Sequence, residues 1–388
     1  MTHHEVDRRT FLKTAAAAGG AIAGSGLVAG EAFAMPKGLS SLAPNTKRVI
    51  VIAFAGGVRS RETFMTPANV PTLTAMAEEG VLYTRMRTAN LGHYGAALSI
   101  FTGISEARGI RDNARGPYPT LFEYVRRDLE LPASDVWIST SGGAQQTNYA
   151  YGLHEEYGAK FGANTLDGDG IFNREFKGLL NKFGRPREMS EREKELLKKM
   201  RGGIRKESGK ESLNSAESAA RVEEYIMNEL TRGTSDIKGA NASDGKALRV
   251  ARNLVSLFKP TLTSVVLQNA DVAHGSYNGY VEVIRRNDAG IKEIWDAVKE
   301  DPELADSTAI FVVPEFGRDA DLNSRRGLDH GDGSDDLRYV SGLAWGPDFR
   351  KGVVVKEDVR VIDFTPTICE VMGANAKLSR GKRLKKLV

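Results

Sequence analysis

The sequence predicts an α/β fold, a three-layer α/β/α sandwich around a mainly parallel central sheet, and three observations carry that prediction. Short unbroken apolar runs, RVIVIAF at 48–54 and AIFVV at 309–313 among them, have the length and β-branched content of strands buried on both faces. Segments with helically spaced apolar residues separate these runs, the alternation that builds parallel sheets through crossover helices. The alternation occupies 45–150 and resumes over 245–375. One core is therefore expected, with the charged stretch between as an insertion.

The chain opens on DRRTFLK at 7–13, followed by an Ala/Gly-rich apolar run over 14–30 and the small-x-small exit Ala32-Phe33-Ala34. This is the pattern of a twin-arginine export signal covering 1–34. It predicts a transient partnership with the twin-arginine translocase and a periplasmic or secreted protein. The run is weakly hydrophobic and ends in a cleavage signal, so no stable transmembrane anchor is expected. Residues 35–388 then form the mature domain.

The first strand stops at Ala55-Gly56-Gly57, a turn that lets another group approach the backbone closely. PTLTAMAEEG at 71–80 reads as a helix ended by Gly80, and a second strand begins over 81–85. Small residues crowd the helix within NLGHYGAALSIFTG at 90–103, whose amino end can present free N–H groups to an anion. A helix over 118–127 and a short strand over 136–139 follow. From about 155 to 245 the chain turns highly charged and is broken by glycines, as expected of a solvent-exposed helical insertion with one helix at 215–231.

The α/β pattern returns with a helix over 246–258, a strand over 264–267 and the loop NADVAHG at 269–275. The helix over 277–299 carries Val281, Ile284, Ile291, Ile294, Trp295 and Val298 as a core-facing stripe. Next come the strand at 309–313, ended by Pro314, a strand over 340–345 and a last helix over 364–372 that Gly373 stops.

Composition excludes some function classes. A formal net charge of +4 on 388 residues leaves no nucleic-acid footprint, and the basic tail Lys382, Arg383, Lys385 and Lys386 reads as a solvated end. The single cysteine, Cys369, has no partner for a disulfide and sits in an apolar helical context.

Two polar clusters follow two separate buried strands: Asp271 with His274, and Glu315 with Arg318, Asp329 and His330. In open α/β sheets ligands bind at the carboxyl ends of strands. If these strands are neighbours, two imidazoles and a carboxylate converge there, the ligand set of an open zinc site. A Glu315–Arg318 ion pair closing the loop, and an ordinary Asp-x-x-His turn, are the plain alternatives.

These pieces, taken in order, resemble the alkaline phosphatase and sulfatase superfamily. They are the strand with Gly-Gly, PTLTAMAEEGVLYT, SIFTG, Asp-x-x-His after a strand, a strand ending in an acidic residue, a later loop histidine, WGPDFRKGV and VIDFTPTICEVMG. EFGRDADLN with GLDHGDG is similar, more specifically, to twin-arginine-exported, sulfatase-like proteins of mostly unknown activity. The resemblance implies an alkaline-phosphatase-like fold and a metal-dependent hydrolase of phosphate or sulfate esters acting on a small anionic ester. Its cofactor would be a divalent metal, zinc first, with calcium or manganese as alternatives.

Carried over residue by residue, the resemblance places Asp271, His274 and His330 in one metal site. From its own place at the strand end, Glu315 is expected beside them as a fourth ligand or as a partner to an imidazole, with Arg318, Asp329, Gly56 and Gly57 beside that site or against substrate. The second metal site implied by the superfamily needs an Asp after the first strand, where Ala55, Gly56 and Gly57 stand, and an Asp-His pair where Glu315-Phe316 stands. The nucleophile position falls near His93, where a Ser, Thr or modified Cys is expected. The implied function is a hydrolase with a reduced one-metal site and His93 in a catalytic place. Its alternative is an inactive member that binds an anionic ligand or has a structural role in the cell envelope.

Overall fold

The computed structural model describes residues 42–106, 114–141, 146–167, 237 and 242–388. The expected leader at 1–34 lies outside these residues, as does most of the expected insertion, including its helix at 215–231.

The sheet is built outward from β1 (Arg48–Phe54), whose residues alternate between the two cores: Val49, Val51 and Ala53 face one, Ile50, Ile52 and Phe54 the other. A strand apolar on both faces has to be covered on both, and this alternation is what fixes three layers. Parallel neighbours flank it, β5 (Leu262–Leu267) on one side and β6 (Thr308–Pro314) on the other. Beyond β5 lie β3 (Val136–Thr140) and β4 (Asn164–Asp167), also parallel. Beyond β6 lie β7 (Tyr339–Trp345), antiparallel to it, and β2 (Val81–Arg87), antiparallel to β7. The short β8 (Val353–Val355) and β9 (Val359–Arg360) pair with β2. The strand order is β4-β3-β5-β1-β6-β7-β2-β8. Strands from both halves of the chain thus interleave in one sheet.

Helices α1 (Pro71–Glu78), α4 (Ser243–Phe258) and α5 (Tyr277–Glu300) cover one face, with Leu73, Leu248, Ile284, Ile291 and Trp295 packed on β1 and β5. Helices α2 (His93–Thr102), α3 (Leu121–Asp128) and α6 (Phe364–Met372) cover the other through Phe101, Phe122 and Ile368. Helix α5 is capped by Ser276, whose hydroxyl accepts from Gly279 N at 3.0 Å. Its buried polar residues hold neighbours in place. Asp288 accepts from Thr72 N and Leu73 N at the start of α1, and Asn287 donates to Asp244 at 2.8 Å. Asp244 in turn accepts from Gln268 N and Asn269 N, which pins the turn that leaves β5.

Strand β4 is a correction to the sequence expectation, because 164–167 lies inside the stretch assigned to the insertion. It is short, three of its four residues are polar, and it reads as a strand only once β3 lies beside it, Trp137 opposite Asn164.

Candidate functional site

The carboxyl ends of β1, β5 and β6 meet the amino end of α2, and every side chain proposed from the sequence lies on these elements or on the loop after β6. Gly56 is there because the β5 loop passes so close that a Cβ would stand 2.5 Å from Gln268 O. Gly57 adopts φ +65°, and a Cβ on it would meet Arg318 Nε at 2.7 Å.

Two imidazoles are backed by carboxylates. His93 Nδ1 lies 2.6 Å from Glu315 Oε1, and His274 Nδ1 lies 2.5 Å from Asp329 Oδ1. Both Nε2 atoms turn toward Asp271, whose Oδ1 is 3.0 Å from His93 Nε2 and 3.3 Å from His274 Nε2. The first contact is an ion pair off the line of a hydrogen bond, so His93 Nε2 keeps its bonding capacity. His330 closes the group, its ring 4.8 Å from that of His93 and 5.1 Å from that of His274. Among the described residues, His93, His274 and His330 form a group whose donor atoms all lie within 4.8 Å of one another. Phe316, fully buried, packs against His93 and His330 at 4.8 and 5.2 Å and forms an apolar wall.

The loop that carries His330 is held by a residue the sequence did not single out. Asp319 Oδ1 accepts from Gly331 N at 2.6 Å and Asp332 N at 2.9 Å, and Asp319 N donates to Asp329 O at 2.9 Å. Asp319 thereby grips the backbone on both sides of His330. Asn323 and Leu328 tie the same loop to the β5 turn, through Asn323 Nδ2 to His274 O and Leu328 N to Ala273 O.

Arg318 stands behind the histidines with no solvent exposure. Nε donates to Gly57 O, Nη1 to Leu328 O and His274 Nε2, and Nη2 to Gly56 O and Asp271 Oδ1. Every N–H of the guanidinium is used. Because His274 Nε2 accepts from Arg318, the hydrogen on this ring sits at Nδ1, where Asp329 accepts it.

The charges are strongly coupled. Burial opposes ionisation of His93, but the Asp271 and Glu315 carboxylates beside its two nitrogens outweigh it and raise its pKa to about 9. Burial also works against the Asp271 carboxylate, yet His93 and Arg318 hold it well below the usual carboxylate range. Burial pushes Glu315 upward against the pull of His93. Burial, then the charges on His93 and Arg318, depress His330. The bond from His274 is the main cause of the low Asp329 carboxyl.

The hydroxyls of α2 offer no nucleophile, since Ser99 Oγ donates to Gly95 O at 2.6 Å and Thr102 Oγ1 to Leu98 O at 3.0 Å. The three imidazoles could hold one ion, with Asp271 Oδ1 at 3.0 and 3.3 Å from two of them. Among the described residues the places the resemblance gives to a second ion lack its donors: glycines follow β1, Phe316 is apolar, and the buried Arg318 guanidinium stands behind.

The architecture is that of the alkaline-phosphatase-like proteins, a mixed, mostly parallel sheet between helical layers. The wild-type alkaline phosphatase PafA is similar over 88% of this chain and 99% of its own, with a TM-score of 0.56 and 8% identity. The phosphonate monoester hydrolase SpPMH from Silicibacter pomeroyi is similar over 88% of this chain and 76% of its own, with a TM-score of 0.52 and 12% identity. A 2-O GAG sulfatase is similar over 87% of this chain and 73% of its own, with a TM-score of 0.52 and 10% identity. No protein-family model matches the sequence, and no curated protein matches it.

Proposed function

We propose that this chain is an exported hydrolase of phosphate or sulfate esters that works with one divalent ion, held by His93, His274 and His330 together with Asp271. The observation that carries this reading is the pair of carboxylate-backed imidazoles, Glu315 on His93 and Asp329 on His274, each leaving Nε2 turned inward on Asp271. A carboxylate on the outer nitrogen is the usual device that fixes the tautomer and orientation of a metal-binding histidine. Ligands about 2.1 Å from a tetrahedral ion lie roughly 3.4 Å apart, close to the separations around Asp271 Oδ1. Imidazole-rich donors favour zinc over calcium, with manganese between them.

When bound, the ion would supply positive charge to the ester's non-bridging oxygens. The chain's own residues do the rest. Glu315 and Asp329 keep the two imidazoles in register, and Asp319 holds the loop that presents His330. The leading N–H groups of α2 favour an anion in front of His93. Phe316 excludes water from one wall. His93 belongs here to the ion's donor set, in place of the catalytic role first assigned to it, because its donor nitrogen lies within 4.8 Å of those of His274 and His330.

Glu315 serves as the partner of His93, the second of the two places the sequence left open for it. Export through the twin-arginine translocase, and kinship with the exported sulfatase-like family carrying EFGR and DHG, rest on Arg8-Arg9 and on Glu315 to Arg318 with Asp329 to Gly331. Replacing Arg8 and Arg9 with lysine should leave the protein in the cytoplasm; unchanged export would remove that part.

A second reading, an anion-binding protein without turnover, is favoured by the lack of a free hydroxyl on α2. One experiment decides between them: elemental analysis of the purified mature protein beside assays on phosphate monoesters, phosphate diesters and sulfate esters. About one zinc per chain with chelator-sensitive turnover supports the hydrolase. Stoichiometric metal with no turnover on any ester leaves the binding reading, and a protein that takes up no metal sinks the proposal.

A further inference from the structure

We propose that Arg318 is a built-in cation that replaces a second metal ion, so that the site is mononuclear by construction. The inference rests on the one-metal reading above and concerns the space that reading leaves over. Acceptors from all three strand ends surround the Arg318 guanidinium: Gly56 O and Gly57 O after β1, Asp271 Oδ1 after β5, and Leu328 O in the loop after β6. Three carbonyl oxygens and a carboxylate spread around the planar fork suit a guanidinium, and it sits there with no solvent exposure.

The same residues show why no metal can share that space. The resemblance calls for an Asp after β1, yet Gly56 has no room for a side chain, with Gln268 O at 2.5 Å and Asp271 N at 2.8 Å from a Cβ. A Cβ on Gly57 would strike Arg318 Nε at 2.7 Å and Gly317 O at 2.8 Å. The glycines therefore admit the guanidinium and exclude the carboxylate together. The charge is conserved by the exchange, since an Asp with a divalent ion and a glycine with a guanidinium both contribute one positive charge. Nη1 makes two bonds, to Leu328 O and His274 Nε2. An ion held by His274 would displace the second and leave the first, so Arg318 keeps its place in the loaded site.

The replacement has a functional consequence. A fixed cation behind Asp271 offers positive charge that chelators cannot remove, and it repels a second divalent ion placed beside it. Metal stoichiometry is the test, read by calorimetric titration and elemental analysis with zinc and then calcium or manganese added to the demetallated mature protein, its Arg318→Ala variant and its Arg318→Lys variant. The parent should take up one zinc and nothing more, Arg318→Ala should take up one further calcium or manganese ion on the oxygen donors it exposes, and Arg318→Lys, which keeps the charge, should match the parent. Guanidinium ion at millimolar concentration should raise the melting temperature of Arg318→Ala and suppress its extra ion.

A parent that binds two metal ions overturns this proposal while leaving metal dependence intact, as does an Arg318→Ala variant with the parent's stoichiometry and no response to guanidinium. A parent that binds none while Arg318→Ala binds one upholds the built-in cation and removes the one-metal reading. If neither binds any, both fall. Should Arg318→Ala not fold, Arg318→Gln carries the same comparison.

Discussion

Replacing Glu315 with glutamine separates the two roles open to this carboxylate. Its side chain has no solvent exposure, Oε1 lies 2.6 Å from His93 Nδ1, and Oε2 has no protein partner. Glutamine preserves the volume but removes the charge, and its NH2 group lands where Oε2 has no hydrogen-bond partner. If Glu315 orients His93 from outside the ion, the loss should follow that of other outer partners, about 10- to 100-fold in metal affinity, or roughly 1.4 to 2.7 kcal/mol. Proton competition masks part of this at neutral pH. Asp271 and Glu315 hold His93 charged up to about pH 9, so the ion must displace a proton, and neutralising Glu315 eases that step. The comparison therefore belongs above pH 9, where His93 has already lost its proton in both proteins. Competition against a chromophoric chelator at fixed free zinc provides the assay. An affinity within threefold of the parent would show that Glu315 does not orient the ring. A loss as complete as that of His330→Ala would make Glu315 a direct ligand.

Three further outcomes are expected. His274→Ala and His330→Ala should each lose stoichiometric zinc by elemental analysis, whereas His154→Ala, whose Nδ1 accepts only from Glu156 N at the surface, should keep it; equal loss in all three would point to global damage. Glu106 is buried, has an unpartnered Oε1, and burial raises its pKa to about 7, so the folded protein holds a proton that the unfolded chain releases near pH 4.5. Its stabilising contribution is present below pH 4.5 and is lost as pH rises toward 7, by roughly 2 to 3 kcal/mol. Glu106→Gln should therefore be more stable than the parent to denaturant at pH 8 and nearly equal at pH 4.5, and a uniform effect at both would exclude this cause. Gly57→Ala should cost about 3 kcal/mol, from a left-handed φ and a Cβ against Arg318 Nε and Gly317 O, and a melting temperature unchanged from the parent would contradict that packing.

Much of the architecture was legible because strands buried on both faces must be apolar along their whole length. Arg48–Phe54, Leu262–Leu267 and Thr308–Pro314 announce themselves that way, and the apolar stripe of Tyr277–Glu300 announces its covering helix. Direction within the sheet was not legible, since β7 is as apolar as its parallel neighbours and nothing in YVSGLAW shows that it runs the other way. The polar strand β4 and the short pairs β8 and β9 were missed for a related reason. Their strand character comes from the neighbour beside them rather than from their own residues.

The site divides along the same line. Which residues gather at the strand ends could be read from position, because Asp271, His274, Glu315 and His330 all follow apolar runs. Which residues pair could not, because pairing depends on how closely separate loops approach. In sequence Glu315 and Arg318 are three residues apart and invite an ion pair, yet β6 ends between α2 and the β5 turn, and the two side chains leave in different directions. Glu315 meets His93, more than two hundred residues away, at 2.6 Å, and Arg318 meets Asp271 at 2.6 Å. What permits this crossing is the absence of side chains at Gly56 and Gly57. In the sequence those glycines read as a lost metal ligand and as a turn that lets another group approach the backbone closely. In the structure they are the opening through which a cation from the loop after β6 reaches the carboxylate after β5, so the feature that weakened the expectation of two metals is also the one that admits Arg318.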